Sequence, residues 1–431
     1  VQHTIKPGSQ GALTGPMADA VTKCVHCGFC LPACPTYQET GSESESPRGR
    51  IVIMKEVLEG TLTVADAAPH VDACLGCLAC EPACPSGVPY RDLISAYRAK
   101  TNPERKRSLI DKIKRQVISQ TLPYPGRFQT GARLGRLAKP LAGMMPKAFR
   151  PMLELLPAEP LPPMVVYPPT VEPSPEVERR GRVALLLGCA QQALDPDIND
   201  ATIEVLNRNG IEVVIPKTQS CCGALSWHVG EMEDAQKFAI NNLGAFPADV
   251  DAIITNAAGC GSGIHEYPLM LKGTSAEAAA QAMAERTCDV SVQLAKLESL
   301  APVPDPGRPL RIAYHDACHL ANAQGVRQPP RDLLRAIPGV EVVEIPDGGT
   351  CCGSAGTYNI DQPEMAASLG QKKAKFIRDL TPDLIVSGNI GCLTQLRTHL
   401  GKDGGPEIPI RHTIQVLRDA YAGVLGQDPQ G

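Results

Sequence analysis

The sequence predicts an α+β multidomain chain: a small α-helical domain built around two cysteine motifs, then two tandem α/β domains with parallel sheets. Three observations carry that expectation. The spacing C-x2-C-x2-C-x3-C-P occurs twice, from Cys24 to Pro35 and from Cys74 to Pro85. From residue 182 onward, short apolar runs rich in β-branched residues alternate with helical stretches. That second half also repeats itself, its matching cysteines offset by 129, 130, 130 and 132 residues.

A chain of 431 residues with 43% hydrophobic content is long enough to bury several cores. With 42 basic against 46 acidic side chains, its net charge of −4 favours neither nucleic acid nor a strongly acidic partner. The 17 cysteines fall at metal-ligand spacings rather than as an extracellular disulfide framework, which points to a reducing compartment. The opening residues lack the positive end and apolar run of a secretory signal, and no stretch approaches roughly eighteen consecutive apolar residues. A cytoplasmic protein that does not span a membrane is therefore expected.

Residues 15–100 form the first domain. Apolar residues recur at helical spacing from Pro47 through Ile51–Gly60, so the cysteine motifs sit on loops braced by helices. Cys24, Cys27, Cys30 and Cys34, and again Cys74, Cys77, Cys80 and Cys84, have the bacterial two-cluster spacing, in which the fourth cysteine ligates the other motif's [4Fe-4S] cluster. Cys24, Cys27, Cys30 and Cys84 are thus expected at one cluster, and Cys74, Cys77, Cys80 and Cys34 at the other. Zinc competes less well, because its usual patterns lack the duplicated fourth cysteine and proline. Gly28, Gly76 and Gly87 fit loops whose N–H groups approach the sulfides closely. Two adjacent clusters make a relay for single electrons, which implies a donor and an acceptor.

Residues 101–180 read as a basic, Pro-rich linker. Between 123 and 175 lie 13 of the chain's 40 prolines, enough to break any long helix into short pieces that wrap rather than form a core. Residues 101–150 hold twelve Lys or Arg against only Glu104 and Asp111, interleaved with apolar side chains. Two readings compete: an amphipathic stretch lying on an anionic membrane, and an arm gripping acidic surfaces of partner subunits. Nucleic acid is not an expected partner, since no reading module accompanies the charge.

The repeats span residues 181–300 and 308–425. In the first, apolar runs precede Cys189, the pair Cys221–Cys222 with Gly223, and Cys260; in the second, they precede Cys318, Cys351–Cys352 with Gly353, and Cys392. Each cysteine follows a strand, where open α/β sheets place their ligands. A vicinal pair is awkward for one zinc ion but suits two irons of a multi-iron cluster, and the Gly-rich run 348–356 lets its loop fold tightly. Zinc, or a dithiol exchanging electrons as a disulfide, are the competing readings. His315 and His319 flank Cys318; two readings compete, ligands that hold or tune a cluster and, the favoured one, hydrogen-bond partners of its ligands. Cys288, outside the matching cysteines of both repeats, reads as a small buried hydrophobe; Trp227 and His228 receive no role.

Together these motifs resemble the glycolate oxidase iron–sulfur subunit family and, more distantly, iron–sulfur subunits of anaerobic glycerol-3-phosphate dehydrogenase and heterodisulfide reductase. CVHCGFC from 24, CPTYQ from 34, SPRGR from 46, CPSGV from 84, GCAQ from 188, CCGSAGTY from 351 and NIGC from 389 spread the resemblance over nearly the whole chain. It implies a ferredoxin-like helical domain with two [4Fe-4S] clusters and two CCG domains that hold one or two more. It also implies no catalytic residue here, FAD on a partner subunit that oxidises glycolate to glyoxylate, and a quinone acceptor at the cytoplasmic face of the inner membrane. The residues agree in one respect: no GxGxxG lies between a strand and a helix, so the flavin that converts a two-electron oxidation into single electrons belongs elsewhere. They depart in another, because fully equipped CCG repeats end in C-x2-C, whereas Gly263 and Gln395 stand here. The alternatives are a subunit of another 2-hydroxy-acid or glycerol-3-phosphate dehydrogenase, and a thiol–disulfide reductase.

Overall fold

Five helices build the N-terminal region: α1 (Thr14–Lys23), α2 (Pro35–Thr40), α3 (Pro47–Glu59), α4 (Val64–Asp72) and α5 (Tyr90–Thr101). They belong to a computed structural model that describes residues 1–6, 11–157, 159–346, 349–402 and 406–427. Local chemistry sets the helix ends. Ser46 caps α3 by accepting from Gly49 N–H at 3.0 Å, Pro47 occupies the first turn, and Gly60 ends the helix in the left-handed region at φ 84°. Thr63 and Asp66 form a reciprocal capping box on α4. The cysteine motifs occupy the loops between α1 and α2 and between α4 and α5, as the sequence predicts. Met17, Val21, Met54, Leu93, Ile94 and Tyr97 close a core beneath them that runs on into Trp227, Ile253 and Tyr267 of the first repeat.

The basic segment is more helical than its prolines suggest. It carries α6 (Leu109–Thr121) and α7 (Pro125–Ala138), the latter 14 residues long. Pro125 stands in the first turn, where its missing N–H costs nothing, so it starts a helix instead of breaking one. Beyond the short helix Arg150–Glu154, the segment adds an edge strand, β1 (Thr170–Val171), antiparallel to the first sheet.

Two sheets follow. β2 (Gly181–Leu186), β3 (Ile211–Val214), β4 (Ala252–Thr255) and β5 (Thr287–Asp289) join β1 in the order β1-β3-β2-β4-β5. β6 (Leu310–Tyr314), β7 (Val340–Glu344), β8 (Leu384–Ser387) and β9 (Ile410–His412) take the order β7-β6-β8-β9. Every pairing within β2–β5 and within β6–β9 is parallel. Each repeat therefore starts at its second sheet position and reverses direction once, which places a crevice at the carboxyl ends of the first three strands. The expected α+β architecture with parallel sheets is borne out. Cys288 corrects one reading: it lies on β5, paired with Ile254, and so belongs inside the first repeat, half-buried at the core's margin. The two repeats share a core of Val183, Leu185, Ile312, Tyr314 and Leu417.

Candidate cluster and thiol sites

The two N-terminal motifs fold into matched loops. His26 and Gly76, each two residues beyond a motif's first cysteine, have φ of 57° and 65°; Gly28 and Leu78, each one beyond its second, have 89° and 58°. Left-handed backbone at those two positions turns successive N–H groups towards the thiols, as in anion-binding nests. Gly76 N–H donates to Cys74 Sγ at 3.4 Å. Non-glycine residues there were not foreseen; the glycines at 28, 76 and 87 do take positive φ.

The loops bring the cysteines together across the motifs. One cavity is lined by Cys24, Cys27, Cys30, Cys80 and Cys84. A second is lined by Cys34, Cys74, Cys77 and Cys80. All 17 cysteines are free thiols. Eight soft donors around two small cavities, with left-handed N–H groups beside them, fit two iron–sulfur clusters.

Arginines frame both cavities. Arg48 reaches His26 O at 2.9 Å and pairs with Glu43. Arg50, 1% exposed, is consumed by Glu45 Oε2 at 2.6 Å, Glu45 O at 2.7 Å, His70 O at 2.7 Å and Thr36 Oγ1 at 3.0 Å, with Cys34 Sγ at 3.9 Å. Arg98 bonds Val71 O and Cys74 O, both at 2.7 Å, and His228 O at 3.1 Å. Burial opposes a Cys74 thiolate, but Arg50, Arg98 and the Gly76 N–H outweigh it and hold the thiol below its ordinary range. Burial pushes Cys77 and Cys80 well up. The two cavities differ in exposure: Cys27 is exposed, with Val25 and Phe29 exposed beside it, whereas Cys74 and Cys77 are buried.

In the repeats the thiols meet at the carboxyl ends of the strands. Cys189 opens a helix after β2 and its Sγ lies 3.5 Å from that of Cys221; Cys318 and Cys351 stand 4.0 Å apart. Hydrogen bonds from Cys221 and Cys260 hold the Cys222 thiol well below its ordinary range, and those from Cys351 and Cys392 do the same for Cys352. Each repeat thus favours a thiolate at the second cysteine of its vicinal pair. Gly223 and Gly353 take φ of 76° and 89°, and a Cβ would stand 3.0 Å from Ala235 O or 2.6 Å from Ala366 O, so the glycine lets the next helix close over the site. The same loop's Gly348 lies outside the described residues. The missing fourth-position cysteines also have a physical reason. A Cβ on Gly263 would run into Ala224, and buried Gln395 spends its amide on Ala366 O at 3.1 Å.

Several residues depart from their expected roles. The buried His315 imidazole sits with Cys352 and Cys392 and helps hold the Cys352 thiol low. His319 packs against His228 with ring centroids 5.3 Å apart and the rings tilted by 51°. Trp227 and His228 converge on buried Glu266, Trp227 Nε1–H donating to Oε2 at 2.6 Å and His228 Nε2 lying 3.0 Å from Oε1. Burial alone would raise Glu266, but His228 and Trp227 hold it below the usual carboxylate range. His228, Glu266 and His319 wall a cavity of about 310 Å³ with Gly76, Arg98 and Tyr358, between the second motif and both repeats. Single-sequence reading has no signal for that convergence, since its members are far apart in the chain.

Part of the basic segment's charge is spent internally: Arg105 pairs with Asp72, Arg115 with Glu231 and Lys114 with Asp361. Three of its cations therefore tie the segment to the helical region and to each repeat. Leu109, Ile113 and Val117, four residues apart on α6, remain exposed together with Ile110. Among the described residues, no helix is long and apolar enough to cross a membrane.

The matched loops and thiol-lined crevices define an iron–sulfur electron-transfer protein, and comparison with known families agrees. Residues 20–88 match the 4Fe-4S dicluster domain, and residues 183–265 and 312–397 the cysteine-rich domain. The chain is 36% identical over 409 residues to the glycolate oxidase iron-sulfur subunit of Escherichia coli (strain K12), covering 94% of this chain and 95% of that one. It is 37% identical over 415 residues to the "Probable glycolate oxidase iron-sulfur subunit" of Bacillus subtilis (strain 168), covering 92% and 93%. Lactate utilization protein A of Geobacillus thermodenitrificans (strain NG80-2) is 29% identical over 237 residues, 55% of this chain and 98% of that one. The chain belongs to the glycolate oxidase iron–sulfur subunit family, whose members are the electron-relay subunits of oxidoreductase complexes.

Proposed function

We propose that this chain relays electrons in a glycolate-oxidising complex, between a flavin-bearing subunit that converts glycolate to glyoxylate and a quinone at the membrane. In this reading Cys24, Cys27, Cys30 and Cys84 hold one [4Fe-4S] cluster and Cys34, Cys74, Cys77 and Cys80 the other. Bound clusters supply one-electron transfer. The observation that supports the reading is that Cys84 lines a cavity with the first motif's Cys24, Cys27 and Cys30, and Cys34 one with the second motif's Cys74, Cys77 and Cys80, Cys80 lining both. The chain's own groups do the rest. Arg50 and Arg98 offset negative charge at the buried cavity, and the exposed loop around Cys27 offers the entry point. Domain boundaries at 15–100, 101–180, 181–300 and 308–425 accompany it.

Two features support membrane docking without a spanning helix: the exposed stripe Leu109–Ile113–Val117 and the cations interleaved along α6 and α7. The site is the cytoplasmic face of the inner membrane. Lactate is the second substrate reading, favoured by the relatives named for lactate utilization. Both substrates are 2-hydroxy acids, and assay of the co-purified flavin partner with each acid separates them.

Iron and acid-labile sulfide on anaerobically purified chain test the relay. About eight irons, the content of two four-iron clusters, is the minimum expected. Cys84→Ser is expected to alter the paramagnetic signal of the cluster that Cys27→Ser alters, and Cys34→Ser that of Cys77→Ser. The opposite pairing, or bound zinc without iron, overturns the reading.

A further inference from the structure

The cavity of about 310 Å³ between the second motif and both repeats carries a charge imbalance in its wall. Five cations line it: Arg98, Arg105, Arg107, Lys114 and Arg115. Three of them are matched, Arg105 by Asp72, Lys114 by Asp361 and Asp111, and Arg115 by Glu231. Arg98 and Arg107 are not. Arg98 spends its hydrogen bonds on the carbonyl oxygens of Val71, Cys74 and His228, and Arg107 donates to Asn102 Oδ1 at 2.7 Å and to Asn102 O at 3.4 Å. Among the described residues, neither guanidinium pairs with a carboxylate. Glu266, the remaining carboxylate of the wall, is held by Trp227 and His228 instead.

An anion is the complement of that wall. Neither Arg98 nor Arg107 uses all the N–H donors of its fork on the protein, and a guanidinium fork matches the two oxygens of a carboxylate. Burial and the neighbouring charges of Arg115 and Arg105 both oppose the Arg107 cation. A bound anion relieves that opposition, whereas a neutral or apolar molecule adds to it by displacing water. The cavity has the volume of roughly ten waters, at about 30 Å³ each, which is room for a small organic acid. Arg98 joins the cavity to the buried motif, since the same guanidinium bonds Cys74 O at 2.7 Å. An anion seated on it cancels positive charge beside Cys74.

We propose that this cavity binds a small carboxylate anion at Arg98 and Arg107, and that its occupancy lowers the reduction potential of the cluster assigned to Cys34, Cys74, Cys77 and Cys80. The effect on potential rests on that cluster assignment; the binding does not. Negative charge beside a cluster stabilises its oxidised form, so the bound anion opposes electron entry. By reciprocity, the oxidised chain binds the anion more tightly than the reduced chain. The 2-hydroxy and 2-oxo acids, the class of the proposed substrate and its product, have the required chemistry. Acid that accumulates therefore slows the relay at its buried end.

The test is calorimetric titration of the full chain, purified anaerobically with its iron in place, with glycolate, glyoxylate and inorganic phosphate in turn. Saturable binding of at least one of the two acids is expected, weakened about tenfold or more in Arg107→Gln. Lys112→Gln, an equal loss of charge at an exposed position of α6, is expected to bind as wild type does. Arg107→Gln is expected to keep the iron content and both paramagnetic signals, because its hydrogen bonds reach only Asn102. A redox titration with and without the acid that binds is then expected to move one cluster signal to lower potential in wild type and neither in Arg107→Gln. No saturable binding, phosphate held more tightly than either acid, or equal weakening by both variants overturns the site. Two unmoved signals in wild type overturn its effect on the relay. A chain without iron defeats the cluster assignment instead, and calorimetry still reads the binding.

Discussion

Arg50 shows what a buried charge does in this protein. Every donor of its guanidinium is engaged, and its partners include only one carboxylate in direct contact, Glu45. Its guanidinium stands nearer the cavity of Cys34 and Cys74 than a solvated cation would and favours the Cys74 thiolate that burial opposes. Arg50→Gln is expected to lower the reduction potential of the buried cluster, because an oxidised cluster gains less from added negative charge once the cation is gone. A redox titration followed by electron paramagnetic resonance measures it, and an unchanged potential would mean that Arg50 only braces the fold. His26 is the second instructive residue. Exposed, at φ 57°, it holds a conformation that costs a non-glycine residue about 1–2 kcal/mol. His26→Gly relieves that strain but gains freedom when unfolded, leaving an expected net stabilisation of about 0.5 kcal/mol with both clusters retained. Denaturant midpoints of the two proteins decide it.

At the scale of elements, the glycine after each vicinal pair does two jobs at once. Gly353 needs φ 89° and also gives Ala366 O room at 2.6 Å from where a Cβ would be. Gly353→Ala is expected to cost about 2 kcal/mol or more and to expose the Cys351–Cys352 pair, read as faster alkylation of the native chain. The second sheet carries a pH dependence of its own. His412, fully buried on β9, caps the helix Thr413–Tyr421 by accepting from Ile414 N–H through Nδ1 at 3.2 Å, and burial lowers its pKa to about 4. A group depressed on folding contributes its stability above its unfolded pKa, near 6.5, and loses it as pH falls towards the folded value. Wild type is expected to lose about 1 kcal/mol more than His412→Asn between pH 7 and pH 5.5, by denaturant unfolding of each at both pH values.

The same scale shows what the sequence makes legible. Six strands are readable because continuous apolar runs such as Ala252–Thr255 and Leu384–Ser387 are buried on both faces of a parallel sheet. β5 and β9 are not, being three residues each with no pattern to display, which is why Cys288 reads as lying outside its repeat. The proposed exchange of Cys34 and Cys84 rests on local spacing, which a sequence displays. His315 and the Trp227–His228–Glu266 group are not, because tertiary packing alone brings those side chains together.

Across the whole molecule, the second motif is held directly against the second repeat, while the first is tied to it through the helix that follows, where Glu39 pairs with Lys372 and accepts from Ser368. Leu75 and Cys77 pack with Cys318, Cys351 and Tyr358. Three hydrogen bonds fix the contact: Tyr358 Oη to Ala73 O at 3.0 Å, Asn322 Nδ2 to Cys77 O at 3.1 Å, and Arg91 Nη1 to Ala323 O at 2.9 Å. The basic segment reinforces it through Lys114, paired with Asp361. The repeats thus cover the buried cavity's Cys77 side, while Cys27 stays exposed. Removing two of the three bonds tests that division. Tyr358→Phe with Asn322→Ala forfeits about 1 kcal/mol per bond, not strictly additive since both brace one interface. The double variant is expected to bleach faster in air than wild type, with the excess loss confined to the paramagnetic signal of the buried cluster. Equal acceleration of both signals would mean that the repeats stabilise the helical region as a whole and shield neither cluster in particular.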